Sequence, residues 1–321
     1  MLACLLYAPT IGYGYVAYDD PWLLRDNQLL REPSLDSVMR VLSDFSWEQR
    51  HRLGAEYLPV RDLSVMLDYA FFGEWVGGLH LTQVLLYGAC CALLAALTLA
   101  VFESRALAWL TAALFTVHPV HVEAVAWLSE RKGLLGASLA FASLLCATSY
   151  LRRGGLRRAS FACGLFLLAV AAKAVTIASA GALVLIVMWL DSPIARRNKL
   201  ALVGGYAAFG MVAFIPYLWV ARSFGVVASE GAQSFAGSLM LFFQAHTQYL
   251  KLMAFGGPYA IQYGIEPGDG PLGAWLPGAL GALAMVALVG SAVLVRRMRT
   301  AATFGLGWWL VFLVPVSHLF A

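Results

Sequence analysis

The sequence predicts an all-α, polytopic transmembrane helical bundle, and three features carry that prediction. Of the 321 residues, 61% are hydrophobic and only 12% charged, whereas an ordinary soluble domain is about 45–50% apolar and about 25% charged. A water-soluble globule of this length needs a charged surface that the chain cannot supply. Apolar runs of bilayer-crossing length, roughly 20 residues, recur along the chain, and its 10 Trp suit indoles placed at both membrane interfaces.

The elements follow in order. Residues 1–18 are apolar and read as a first span. A cleaved signal peptide is the alternative, but no basic region and no small-residue cleavage pattern precedes Asp19. Residues 19–77 form a polar stretch far longer than an ordinary connection, and such loops are functional or hold structure of their own. Within it, Leu35–Leu42 and Leu63–Phe72 mix apolar and charged residues as interfacial helices do. Further spans are expected at 79–102, 106–128, 133–151, 159–172, 174–190, 200–221, 275–295 and 301–317. The stretch 235–262 reads as an interfacial helix, a re-entrant hairpin or a pair of short spans. The total is about 9–11 membrane segments in a single domain.

Charge sets the expected orientation. The net charge of +4 carries no nucleic-acid signal; the basic residues stand in short clusters between spans. Arg152, Arg153, Arg157 and Arg158, then Arg196, Arg197 and Lys199, then Arg296, Arg297 and Arg299 fall on one side, which the positive-inside rule makes cytoplasmic. Of 18 acidic residues, 11 lie between Asp19 and Glu74, so the acidic first loop faces outward, to periplasm or lumen. The five cysteines lie in apolar runs without metal spacing and read as buried thiols. There is no heptad seam, internal repeat, P-loop or dinucleotide glycine pattern.

The residues able to carry chemistry gather on that outer side. Asp19 and Asp20 follow the first span directly; an apolar wall and a neighbouring carboxylate both raise a carboxyl pKa, which suits a general base. A divalent cation at this acidic pair is the other chemistry it offers, and a solvated helix end is the bland alternative. In His118-Pro119-Val120-His121-Val122-Glu123, the proline breaks a helix and the two histidines stand three apart, near one face of a turn. They fit hydrogen-bonded core residues better than metal ligands. Arg131 and Lys132 could meet a phosphate at the membrane surface or serve as an interfacial anchor. Lys173 interrupts the apolar stretch 159–190; a lysine at membrane depth marks a functional site, whereas one in an outer turn is solvated. Arg61, Arg222 and Lys251 are further outward cations, Tyr249 lies in a polar patch on an apolar helix, and His80 begins a span.

Several segments together resemble a known family. LFTVHPVHVEAVAWLSERKGLL (114–135) is similar to the signature of the transmembrane-and-TPR-containing O-mannosyltransferases and their bacterial relatives, members of the GT-C superfamily. YDDPWLLRDN (18–27), YLPVRDLS (57–64), GLHLTQVLLY (78–87), 171–191, 248–267 and 308–320 resemble other family segments in the family's order. Where the family carries an asparagine and a second histidine after His80, this chain has Gln83 (or Thr82) and Tyr87; the proline expected after Lys173 is replaced by Ala178 or Ser179. The family pattern continues past Ala321 into an outer loop, further spans and TPR repeats.

The resemblance implies a GT-C fold and inverting transfer of a sugar, mannose by expectation, from a polyprenyl-phosphate donor to a protein hydroxyl on the outer face. Asp19 or Asp20 would be the base. Arg61, Arg131, Lys132 and Lys173 would meet the donor, while His80, His118, His121, Glu123 and Tyr249 would shape the pocket. The partners would be the lipid-linked donor, a polypeptide acceptor and membrane lipids, with no nucleic acid, in a bacterial inner membrane with the site facing the periplasm. Two other classes remain: a transporter or channel using Lys173 and the histidines as a relay, and a non-catalytic scaffold of the same fold.

Overall fold

The computed structural model describes residues 2–225, 242–245, 247–252 and 301–313. The chain divides into two units, 1–226 and 227–321, each described by itself. The described residues are helical without strands, as an all-α membrane bundle requires.

In the first unit, α1 (Leu2–Tyr7) runs into a 3-10 turn (Ala8–Gly12). This is shorter than the span expected over 1–18: Pro9 near the start of the turn and the extended backbone at Tyr13 end the helix. The first loop then holds a π-helical turn (Pro21–Arg25), α2 (Gln28–Arg31), α3 (Leu35–Ser43), α4 (Trp47–Arg52) and α5 (Pro59–Phe72). The α3 start is fixed by a capping box of Ser34 and Ser37, and Pro59 opens α5, where a missing N–H costs nothing. Leu23, Leu24, Leu30, Val41, Leu53, Val65 and Met66 bury together with Leu79 and Leu128, so the loop folds as a cap packed on the spans.

The helices of the bundle follow: α6 (Val76–Phe102), α7 (Arg105–Val117), a short α8 (His121–Ala126), a 3-10 turn (Leu128–Glu130), α9 (Arg131–Arg153), α10 (Leu156–Ala172), a 3-10 turn (Ala174–Ala178), α11 (Ser179–Trp189) and α12 (Arg196–Ser223). Among the described residues, three helical stretches are long and apolar enough to cross a membrane: Val76–Phe102, Leu128–Arg153 and Arg196–Ser223. The expected span over 106–128 ends instead at Val117, because His118 turns extended before Pro119; its 13 residues reach only about 20 Å, short of a hydrocarbon core of about 30 Å. In the second unit, 242–245 and 247–252 are helical and α13 covers Ala301–Leu313. The span expected at 275–295 and most of 235–262 lie outside the described residues.

Bundle packing is set by small residues. A Cβ on Gly136 of α9 would fall 3.0 Å from Thr176 and 3.1 Å from the Lys173 stem, and one on Gly210 of α12 would fall 2.8 Å from Phe166; glycine lets these helices approach closely. Two of the three departures from the resembled family's pattern, Gln83 and Tyr87, have structural work. Gln83 Nε2 donates to the carbonyls of Ala124 and Trp127, each at 3.2 Å. Tyr87 Oη lies within donating distance of the carbonyls of Phe115 and Thr116, at 2.9 and 3.0 Å. Gln83 anchors the segment that follows α7 against α6, and Tyr87 anchors the last turn of α7 there.

Candidate active site

Where the first-loop cap meets the turn that leads into α9, a cavity of about 290 Å³ opens, lined by Asp19, Trp22, Leu23, Gly54, Glu56, Arg61, Trp127, Ser129, Glu130 and Lys132. Its parts come from three separate stretches of chain. Asp19 precedes the π-helical turn and Trp22 lies in it, Gly54 to Arg61 run from the end of α4 into α5, and Trp127 to Lys132 lead into α9. Gly54 has φ +82° and Ala55 φ 57°, a left-handed pair that glycine makes accessible. There the chain reverses, and a Cβ on Gly54 would reach within 3.7 Å of Trp22.

The adjacent acidic residues part company. Asp20 is fully buried. One carboxylate oxygen accepts from the Ser129 N–H at 2.9 Å and from Ser129 Oγ at 2.5 Å, while the other accepts from the Val16 N–H at 2.9 Å. It clamps the end of the first segment to the turn before α9. With those donors on both oxygens, Asp20 has little left to offer a cation, and among the described residues no group of three or more His, Cys, Asp or Glu is placed to hold one. Asp19 is only half-buried and faces the cavity. Burial raises its carboxyl above the ordinary range, and Lys132 and the Trp22 indole partly oppose that.

The cations are paired. Arg61, 3% exposed, donates through Nε to Asp62 at 2.8 Å, through Nη1 to Glu56 at 2.7 Å and through Nη2 to the Leu53 carbonyl at 2.7 Å. Lys132 Nζ reaches the same Glu56 oxygen at 3.0 Å, and Lys173 Nζ donates to Glu130 at 2.8 Å. Burial alone would raise Glu56, but Arg61, Lys132 and then Lys173 outweigh it and hold the carboxyl below its ordinary value. Three carboxylates and two cations thus line one small volume, with Lys173 behind Glu130. Trp22 and Trp127 supply aromatic surface, and the Trp127 ring meets Tyr18 edge-on at 5.6 Å.

The structure brings Asp19, Arg61 and Lys132 to the cavity, with Lys173 one contact behind; it does not bring the other expected residues there. Arg131 is buried at 1% exposure and forms an ion pair with Asp68 at 2.5 Å, while donating to the carbonyls of Ser64 at 3.2 Å and Leu79 at 3.1 Å. Asp68 also accepts from Thr82 at 2.8 Å. This arginine ties α5, α6 and α9 together. His80 is buried, with Nε2 at 3.2 Å from the Gly14 carbonyl. His121 packs on Phe115 at 4.0 Å and Tyr87 at 5.6 Å; burial, with His118 beside it, pushes its pKa down to about 4. His118 accepts from the Val120 N–H at 3.2 Å. Glu123 is exposed, its carboxyl raised by partial burial and then by Glu130. Tyr249 belongs to the second unit.

Sequence reasoning missed Glu56, the carboxylate shared by two cations, and the buried Arg50. Arg50 donates to the carbonyls of Asp44, Arg40 and Val41 and lies 4.9 Å from the Tyr57 ring centroid. The one signal for Glu56 was its place directly before the YLPVRDLS segment.

No family model matches the chain, and no solved structure does. Among curated proteins it is 33% identical over 148 residues to "Protein O-mannosyl-transferase tmtc2" of Xenopus laevis, covering 45% of this chain and 17% of that protein. It is 32% identical over 157 residues to "Protein O-mannosyl-transferase TMTC1" of Mus musculus (47% and 16%), and 32% identical over 149 residues to "Protein O-mannosyl-transferase TMTC2" of Homo sapiens (45% and 17%). The match spans less than a fifth of each relative's length. These relatives are vertebrate proteins and lend no support to a bacterial inner membrane. Over just under half its length, then, the chain is similar to vertebrate protein O-mannosyl-transferases.

Proposed function

We propose that this protein is a membrane glycosyltransferase of GT-C type that moves mannose, with inversion, from a polyprenyl-phosphate donor to a hydroxyl of a polypeptide. The observation that carries the reading is the Asp19 cavity: a carboxylate raised by burial stands beside Lys132 and two tryptophans at the start of α9, the opposite end of that helix from Arg152 and Arg153. The similarity to proteins named protein O-mannosyl-transferases supports the sugar and acceptor.

In this reading the acceptor hydroxyl attacks the anomeric carbon and its proton passes to Asp19. The bond from that carbon to the phosphate oxygen breaks, and the lipid phosphate leaves with the charge offset by Lys132 and, through displacement of Glu130, Lys173. Trp22 and Trp127 offer apolar walls for a sugar ring. Asp20 is a positioning residue that fixes Ser129 and the turn carrying Glu130 and Lys132. Arg61 holds Glu56, and Arg131 holds the cap on the bundle.

The existing pairing of Lys132 with Glu56 and Lys173 with Glu130 favours one second reading, a scaffold that binds the lipid phosphate without turnover. Purified protein in liposomes with labelled polyprenyl-phosphate mannose and a Ser/Thr-containing polypeptide separates the two. Label on the polypeptide supports transfer; bound donor with no transfer supports the scaffold; mannose taken only from a nucleotide-linked donor contradicts both.

A further inference from the structure

The other end of the first unit carries a second set of features that sugar transfer does not use. Three turns meet there. Arg152 donates to the Ala100 carbonyl at 3.0 Å and pairs with Glu103, and Ser192 Oγ donates to the Leu151 carbonyl at 2.5 Å. Ile194 sits 3.5 Å from where a Cβ on Gly154 would stand. The turns hold eight basic side chains (Arg105, Arg152, Arg153, Arg157, Arg158, Arg196, Arg197 and Lys199) against two carboxylates, Glu103 and Asp191. Glu103 is taken by Arg152, Arg158 donates to the Gly154 carbonyl and Lys199 to the Ser192 carbonyl. Arg153, Arg157, Arg196 and Arg197 are exposed and have no hydrogen-bond or ion-pair partner among the described residues.

Beneath these charges lies a cavity of about 550 Å³ between α9, α10 and α12, whose lining includes Tyr150, Leu156, Cys163, Asn198, Leu202 and Phe209. Gly154 and Gly155 of the α9–α10 turn line its head, and a Cβ on Gly205 would fall 2.9 Å from the Cys163 sulfur, so α12 comes close to α10 beside it. A second apolar groove of about 720 Å³ shares Leu156 and Ser160 with it and includes Arg157. From Asn198 to Phe209 the groove wall runs about 16 Å at the helical rise, close to half of a hydrocarbon core of about 30 Å. A groove one leaflet deep, headed by unpaired cations, has the shape and charge of a phospholipid with a negative headgroup.

We propose that this end of the bundle binds an anionic glycerophospholipid, its phosphate held by the unpaired arginines of the two turns and an acyl chain laid in the groove between α10 and α12. Acyl chains touch any span, and arginines gather at one membrane face in most bundles. What distinguishes this place is their coincidence: four arginines without partners among the described residues, on the two turns that head a groove of about one-leaflet depth.

The full chain is reconstituted in nanodiscs of phosphatidylcholine with a minor fraction of phosphatidylglycerol, extracted, and its retained lipids weighed by native mass spectrometry. Retention of phosphatidylglycerol well above its share is the expected result. A basic residue near an anionic surface is worth about fivefold in affinity, so Arg157→Gln with Arg197→Gln lowers retention by about tenfold or more. Ala201→Trp, or the milder Ala201→Leu, fills the groove from an exposed lining position and also lowers it, in protein with the parent's elution and unfolding midpoint. Equal retention of the two lipids overturns the proposal. So does loss in the arginine variant with none in both Ala201 variants, which leaves only surface charge, and so does full displacement by inorganic phosphate, which leaves a simple anion site.

Discussion

Arg131→Met separates a lock from a ligand. The guanidinium is 1% exposed, pairs with Asp68 at 2.5 Å and donates to two backbone carbonyls on α5 and α6. Methionine fills similar volume but leaves the buried Asp68 carboxylate without its counter-charge and both carbonyls without that donor. Breaking a buried pair from one side costs about 3–5 kcal/mol. At about 2 °C per kcal/mol for a chain of this size, the unfolding midpoint in detergent falls by about 6–10 °C. Removing both charges, with Arg131→Met and Asp68→Leu together, recovers most of that loss, since an apolar pair of similar volume is often no worse than the ions it replaces. The assay is a thermal melt followed by tryptophan fluorescence, with lipid-to-protein transfer measured in parallel. An Arg131→Met protein that melts with the wild type yet no longer binds donor refutes the reasoning and makes Arg131 the phosphate ligand that the sequence suggested.

Other consequences can be checked in the same preparations. Asp20→Asn loses charge-assisted bonds to Ser129 and Val16 and is expected to cost about 2–3 kcal/mol, read as an earlier denaturant midpoint, whereas Ser129→Ala removes one hydroxyl bond and costs about 1 kcal/mol. Asp19 accepts a proton only when ionised, and burial raises its pKa above 3.8. The transfer rate therefore falls with acid through a limb lying above the ordinary carboxylate range, and a pH profile of kcat/KM shows it. The His121 pKa is depressed from 6.5 to about 4, so the unfolded chain binds the proton first. That contribution to stability is fully present above 6.5 and is lost as pH falls toward 4. His121→Phe should flatten the melting temperature across that window.

The helices were the legible part. Hydropathy located α6, α9 and α12 to within a few residues, because a span must be apolar along its whole length. It overran at α7, where Pro119 and the extended His118 end the helix early, and at residues 1–18, where an apolar run holds only a short helix and a turn. Residue type drew attention to Asp19, Lys132 and Arg61, which do line one cavity. It could not divide Asp19 from Asp20, because neighbours in a turn point apart and only the fold shows that Ser129, 109 residues away, claims one of them. Nor could it tell a buried arginine from a ligand: Asp68 and the carbonyls that occupy Arg131 are distant in the chain. Glu56 escaped for the same reason, since its meaning comes from Lys132, 76 positions on.

The most direct test compares Asp19→Asn with the wild type for transfer of labelled mannose from polyprenyl phosphate to a polypeptide, in protein of matched unfolding midpoint. With Asp19 as the base, the variant keeps donor binding and loses transfer by about 10²–10⁴-fold. Transfer at the wild-type rate in Asp19→Asn contradicts the assignment of the cavity as the active site.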